Sequence, residues 1–257
     1  MQASVYCWLG ESNVKEATRS VLRRLGLDVH RYSFANSPDD QFRLMLAQHG
    51  INLILDIGAN TGQYSIDLRK RLGYRGSIVS FEPLSTAHEQ LVRAAAGDPL
   101  WDVAPKVAIG SRQGSVTLHV SGNSQSSSVL PMLDSHATAA PQSRYTRDEV
   151  VPVETLDVAA KGYVRGESRM LLKIDTQGYE AEVLRGAPDM LARATAVQME
   201  MSLVPLYEGQ LLIRDIWLML EEAGFELWTL SPVFVDPRTG RQLQVDAVFF
   251  RKESVGA

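Results

Sequence analysis

The chain has 257 residues, a formal net charge of −4 and one cysteine, Cys7. The acidic balance argues against a broad nucleic-acid surface, which needs an excess of Lys and Arg. A lone cysteine excludes an internal disulfide and a cysteine-based metal cluster, and a reducing cytoplasm is the expected location. No apolar run reaches the length of a membrane span, and MQASVYCWLGESNVKEA lacks the basic-then-apolar order of a secretory signal.

In chain order, Ser12 is a candidate cap for a first helix, with Val14, Ala17, Val21, Leu22 and Leu25 at helical spacing and Arg19, Arg23 and Arg24 elsewhere around it. An amphipathic helix packed on the domain is the expectation; a homo-oligomer or peripheral membrane contact through the arginines is the alternative. Ser37-Pro38-Asp39-Asp40 starts a second helix with Phe42, Met45 and Leu46 as its buried stripe. These elements form a helical extension over residues 1–50, ahead of one α/β domain over 51–257.

Ile51 to Leu55 reads as a strand buried on both faces, ending in Asp56. A turn with Gly58, Asn60 and Gly62 follows, then a helix carrying Tyr64, Leu68 and Leu72. Ser77 to Phe81 is a second strand ending in Glu82, and Ser85 caps the next helix. Val103 to Ile109 reads as a broken third strand, and Ser115 to Val120 alternates like an edge strand with one wet face. Gly122 to Gln142 is rich in Ser, Ala and Pro with little periodicity, and reads as a long loop, either a mobile lid over the pocket or plain tolerated disorder. Val150 to Val153 returns to strand character, and Leu156 to Ala160 suits a short helix. Met170 to Ile174 is a fourth buried strand ending in Asp175, and Ala196 to Met199 a fifth ending in Glu200. After a helix over Ile213 to Ala223, strands at Phe225–Leu230 and Val245–Phe250 are joined by a turn-rich link without a helix. That link makes the last pair antiparallel. The fold class is therefore α/β: a Rossmann-like, seven-stranded, mostly parallel sheet with helices on both faces and an antiparallel final strand.

Two cofactor classes use such an opening. The dinucleotide fingerprint G-x-G-x-x-G fails here, because Asn60 and Gln63 stand where its second and third glycines belong. An acid followed by G-x-N-x-G instead suits S-adenosylmethionine, whose amino-acid part carries no pyrophosphate. Asp56 is placed to help bind its ammonium group, Gly58 and Gly62 to leave it room, and Glu82 to accept hydrogen bonds from its ribose hydroxyls.

DIGANTGQYS, FEP, VAIGSRQG, SSS, VETLD and KIDTQGYEAEVLRG follow one another here in the order found in the FkbM-type family of S-adenosylmethionine-dependent methyltransferases, which the chain resembles from about Ile51 to Lys252. The most specific piece, Lys173 to Glu180, resembles that family's K-I-D-x-E-G-x-E signature, with Gln177 where Glu is common. The resemblance implies O-methylation of hydroxyl groups, often on sugars of glycolipids and polysaccharides or on polyketide products.

A sugar hydroxyl is a poor nucleophile, so a general base or a metal ion is expected beside the methyl donor. Asp175, at a strand end on the ligand-binding edge, is the first candidate base, and it also borders the cofactor. Glu200 is the second, and the two carboxylates could share a divalent ion such as Mg2+. His119 and His136 are alternative bases beside the expected acceptor entrance, and Ser126 to Ser128 are candidate donors to a hydroxylated acceptor. By analogy with the fold, adenine is expected near Lys106, Val107 and Ala108. The expected partner is a small-molecule or glycan acceptor rather than nucleic acid. Competing readings are a nucleic-acid methyltransferase, a non-catalytic cofactor-binding subunit and, last, an NAD-dependent oxidoreductase.

Overall fold

The computed structural model describes residues 16, 18–27 and 33–252. Its contacts divide the chain into two units, residues 1–41 and 42–257. In the first, residues 16 and 18–24 are helical; Ser12, Val14 and Ala17, expected in the same helix, lie outside the described residues. Helix α1 (Pro38–Gln48) begins at the expected signal, where the Ser37 hydroxyl donates to Asp40 at 2.6 Å. It carries the chain into the second unit, in which Met45 and Leu46 are buried.

The second unit is built on a seven-stranded sheet. Its strands are β1 (Leu53–Ile57), β2 (Ser77–Phe81), β3 (Trp101–Val103), β7 (Met170–Ile174), β8 (Ala194–Ser202), β9 (Phe225–Val235) and β10 (Gln242–Arg251). Their order is β3-β2-β1-β7-β8-β10-β9, with β10 inserted antiparallel between β8 and β9. This is the expected Rossmann-like methyltransferase topology.

The continuous apolar runs of β1 and β7 follow from burial on both faces: every residue of both strands is buried. Because side chains alternate, Leu53, Leu55 and Ile57 pack on one face with Leu172, Ile174 and Val197. Ile54 packs on the other with Ile78, Leu171 and Ala196. Helices α2 (Gln63–Lys70), α3 (Ser85–Ala95), α5 (Leu156–Ala159), α6 (Glu180–Arg185), α7 (Pro188–Arg193) and α8 (Ile213–Glu222) link the strands.

Two expectations need correction. The segment Val103 to Ile109 is not one strand: β3 closes the main sheet, and β4 (Ala108–Ile109) belongs to a second sheet of order β4-β6-β5 with β5 (Gly114–Ser121) and β6 (Tyr145–Glu154). Pro105, which has no N–H to donate, lies between the two pieces. Residues 122–142 are not a structureless loop either. Ser128 exchanges backbone hydrogen bonds with His119, α4 (Asp134–Ala139) follows, and Leu133 and Glu208 donate to the carbonyls of Leu206 and Pro131. The segment forms a wall whose backbone partners are distant in sequence.

Candidate active site

Parallel strands β1, β2, β7 and β8 bring Asp56, Glu82, Asp175 and Glu200 to one edge of the sheet. Strand β10, running the other way, sets Asp246 directly across from Glu200. A cavity of about 480 Å³ opens along this edge. Gly58, Asn60, Glu82, Val107, Ala108, His136, Asp175 and Glu200 all line it, so one space gathers most of the residues expected from sequence. The segment Asn123 to Ser127, with Gln142 and Ser143, contributes an uncharged polar wall, and Val233 and Phe234 of the final hairpin an apolar one.

On the β1–β2 side, Asn60 takes a left-handed conformation at φ 48°, which an Asn tolerates better than most residues. Its N–H donates to Glu82 Oε2 at 2.7 Å, and the N–H of Leu84 donates to Oε1 at 2.8 Å. The Glu82 carboxylate is thereby aimed with one acceptor position of each oxygen still available. Burial pushes Glu82 up to about 7, against the pull of those two backbone hydrogen bonds. Val107, Ala108, Ile109 and Leu118 offer an apolar surface along the same cavity.

Five expected site residues lie outside this lining: Asp56, Gly62, His119, Lys106 and Ser128. Lys106 donates to Ser85, and the Ser128 hydroxyl donates to the Gln177 carbonyl. Asp56 is fully enclosed: Ser65 Oγ donates to its Oδ2 at 3.2 Å, and Lys173 Nζ is 3.7 Å from its Oδ1. Burial pushes its carboxyl upward, and Lys173 opposes that shift. Gly62 packs closely, since a Cβ there would come within 2.9 Å of the Trp101 ring. His119 pairs with Asp148 at 2.7 Å and stacks on Tyr145, away from the cavity. Gly58 does line the cavity, but its missing Cβ accommodates the Asp175 carbonyl, from which a Cβ would be 1.9 Å distant.

The acids on the β7–β8 side are organised by amides. Lys173 Nζ donates to Asp175 Oδ2 at 3.1 Å; burial pushes this ammonium down, but Asp175 and Asp56 outweigh it and hold it above its ordinary range. Gln177, itself left-handed at φ 54°, donates from Nε2 to Asp175 Oδ1 at 2.7 Å and to Glu200 Oε2 at 3.0 Å. Its Oε1 accepts from the Tyr207 hydroxyl at 2.8 Å. Glu200 Oε2 also accepts from Gln244 at 2.7 Å. Burial, then Asp175 and Asp246, raise Glu200 well above the usual carboxylate range. Asp246 is pushed to about 6, by burial and by Asp175.

The divalent ion expected between Asp175 and Glu200 does not fit this arrangement. The Gln177 amide nitrogen occupies the bridging position, and no three His, Cys, Asp or Glu side chains among the described residues are placed to hold a metal. Glu180 closes its own turn, its Oε1 accepting the N–H groups of Thr176 and Gly178 at 3.0 Å each.

His136 lines the cavity at 2% exposure, with its ring against Tyr207 and Phe234 and its Nδ1 without a partner among the described residues. Burial pushes it down to about 4, so the imidazole is neutral at physiological pH. Sequence reasoning missed Asp246, Gln198, Gln244 and Tyr207. Asp246 had a signal, an acid within the apolar run Val245 to Phe250 like that of Glu200 within its own.

Sheet order, the inserted β10 and the ligand-binding edge define a class I, Rossmann-like methyltransferase fold. The model of the methyltransferase FkbM domain matches residues 56–227, and the chain belongs to that family. Among solved structures, methyltransferase FkbM from Methylobacillus flagellatus KT is similar at 12% identity and TM-score 0.49, over 77% of this chain and 43% of that one. The chain thus spans less than half of that relative. Magnesium protoporphyrin IX methyltransferase from Synechocystis PCC 6803, with bound S-adenosylmethionine, is similar at 12% identity and TM-score 0.46, over 98% and 100% of the two chains. No curated protein matches the chain in sequence.

Proposed function

We propose that this protein transfers a methyl group from S-adenosylmethionine to a hydroxyl of a sugar, glycolipid, polysaccharide or glycosylated natural product. The observation that carries this reading is a single cavity in which the aimed Glu82 carboxylate and the Asp175–Glu200 pair share space with a wall of Ser, Asn and Gln side chains. The residues present fit the donor: Glu82 has acceptor positions for two vicinal ribose hydroxyls, and Val107 and Ala108 offer the apolar contact that adenine needs. Asp56 acts from behind the lining, through Lys173.

S-adenosylmethionine supplies an electrophilic methyl carbon when bound. The protein's part is to align a hydroxyl oxygen behind that carbon, exclude water and take up the proton, and alignment alone can supply much of the rate. Asp175 accepts the proton at a carboxylate already steadied by Lys173 and Gln177. His136 is a weaker proton acceptor, because burial holds it near 4; its bare Nδ1 suits a hydrogen bond from a substrate hydroxyl. The side chains of Asn123, Ser126 and Ser143 hydrogen-bond one another and present the hydroxyl and amide chemistry that a polyol matches. A cytoplasmic location, resting on the lone Cys7, belongs to the same proposal; no helix among the described residues is long and apolar enough to cross a membrane.

Calorimetry tests the donor: S-adenosylhomocysteine should bind and NAD should not, and NAD binding alone would refute the reading. Transfer of labelled methyl from S-adenosylmethionine to a panel of mono- and oligosaccharides tests the acceptor. Asp175→Asn should keep S-adenosylhomocysteine binding and lose transfer; a fully active variant would remove Asp175 as the proton acceptor.

A further inference from the structure

Gln177 is held on every side. Ser128 Oγ donates to its carbonyl at 2.6 Å, and the fully buried Tyr207 donates to its Oε1. That second bond decides which end of the amide faces which way, leaving both Nε2 hydrogens for acids, one for Asp175 and one for Glu200. Glu200 Oε2 is then doubly occupied, by Gln177 and Gln244, while its Oε1 takes no hydrogen bond from any described residue. Asp175 has its other oxygen on Lys173.

We propose that Gln177 is a positioning residue: oriented by Tyr207, its amide clamps Asp175 and Glu200 side by side without a bridging cation and directs any proton on Glu200 to Oε1. The inference rests on the functional reading above and divides the labour within it. Asp175, backed by an ammonium, is the proton acceptor. Glu200 lies among Asp175, Asp246 and Glu180, opposed by the Lys173 ammonium, and its hydrogen-bond donors are neutral amides. This setting favours its protonated form, whose proton at Oε1 is free for a hydrogen bond to the acceptor's oxygen. Glutamate at position 177 would lack both hydrogens and put a third carboxylate between two others, a set that calls for a divalent ion.

The test is carboxyl-carbon NMR on the full chain, with 13C-labelled Asp and Glu side chains, titrated with and without S-adenosylhomocysteine. In Gln177→Leu the midpoints of Asp175 and Glu200 should both rise, by about one pH unit, because the carboxylate form loses a donor. Tyr207→Phe should shift both in the same direction by less, and it serves if the leucine variant fails to fold. Mn2+ should broaden the Asp175 and Glu200 signals in Gln177→Glu and not in the wild type. Unmoved midpoints in the two donor-removing variants, or Mn2+ broadening of those signals in the wild type, would overturn the inference. Failure of the wild type to bind S-adenosylhomocysteine would refute the donor reading alone, since the ligand-free titration still reads the clamp.

Discussion

The backbone N–H of Asn60 lies 2.7 Å from Glu82 Oε2, so the turn after β1 aims the carboxylate that ends β2. Two elements of the proposed donor site are thereby set by one hydrogen bond. The Asn60 side chain braces the turn in its own right, its Oδ1 accepting from the Thr61 N–H at 2.8 Å and from Ser124 Oγ at 3.2 Å.

Glu82→Gln keeps the shape of the side chain but not its pairing. One end of the new amide must present its NH2 group to the N–H of Asn60 or of Leu84, setting donor against donor. The affinity for S-adenosylhomocysteine should fall about 30-fold or more, near 2 kcal/mol, when measured by calorimetry. Unchanged affinity would take Glu82 out of the donor site.

Stability should fall as pH rises through neutrality. Glu82 and Glu180 are pushed to about 7 and Asp246 to about 6, in each case chiefly by burial. The native state therefore retains protons that the unfolded chain has released, and unfolding gains from deprotonation between about 4.5 and 7. The melting temperature of the ligand-free protein should be lower at pH 7.5 than at pH 6.5, and Glu180→Gln should reduce that difference. An equal slope in the variant would place the titration elsewhere.

His136 works in the opposite sense. Its native value of about 4 lies below its ordinary 6.5, so the unfolded chain takes up a proton first as pH falls. Stability contributed by the neutral imidazole is complete above 6.5 and is lost between 6.5 and 4, up to about 3 kcal/mol. The raised carboxyls of Glu82, Glu180 and Asp246 act in the opposite sense over much of that window. In urea unfolding, the stability of His136→Phe should therefore fall more steeply with rising pH there than that of the wild type. A variant as acid-sensitive as the wild type would show that the ring is protonated in the native state.

The strand ends were legible in the sequence for a physical reason. Strands buried on both faces are written as unbroken apolar runs, and an acid ending such a run stands out, as Asp56, Asp175 and Glu200 do. Asp246 escaped because β10 runs antiparallel, which brings the beginning of that strand rather than its end to the ligand edge. Ser115 to Val120 and Val150 to Val153 were legible as strands but not as a separate sheet with Ala108 and Ile109. The wall over residues 122–142 was illegible because its hydrogen bonds go to Leu206, Pro205 and Gln177, far away in sequence. Nor could spacing separate His119, which turns to Asp148, from His136, which the wall folds into the cavity. Gln177 registered only as a departure from a signature; that its amide joins two acids is a fact of three dimensions.

Lys173 offers the sharpest test of how the buried charges balance. Its Nζ lies 3.7 Å from Asp56 and 3.1 Å from Asp175, and its side chain is 10% exposed. Lys173→Met keeps most of the apolar stem but strands the enclosed Asp56 carboxylate, a change that should cost about 3–5 kcal/mol in urea unfolding at pH 7. Adding Asp56→Asn removes the stranded charge, so the double variant should recover more than half of the loss. The two substitutions would then be strongly non-additive, as expected of residues in direct electrostatic contact. A loss below about 1 kcal/mol in the single variant would instead mean that Asp56 is already neutral in the native state, its proton held by the burial that pushes its carboxyl upward.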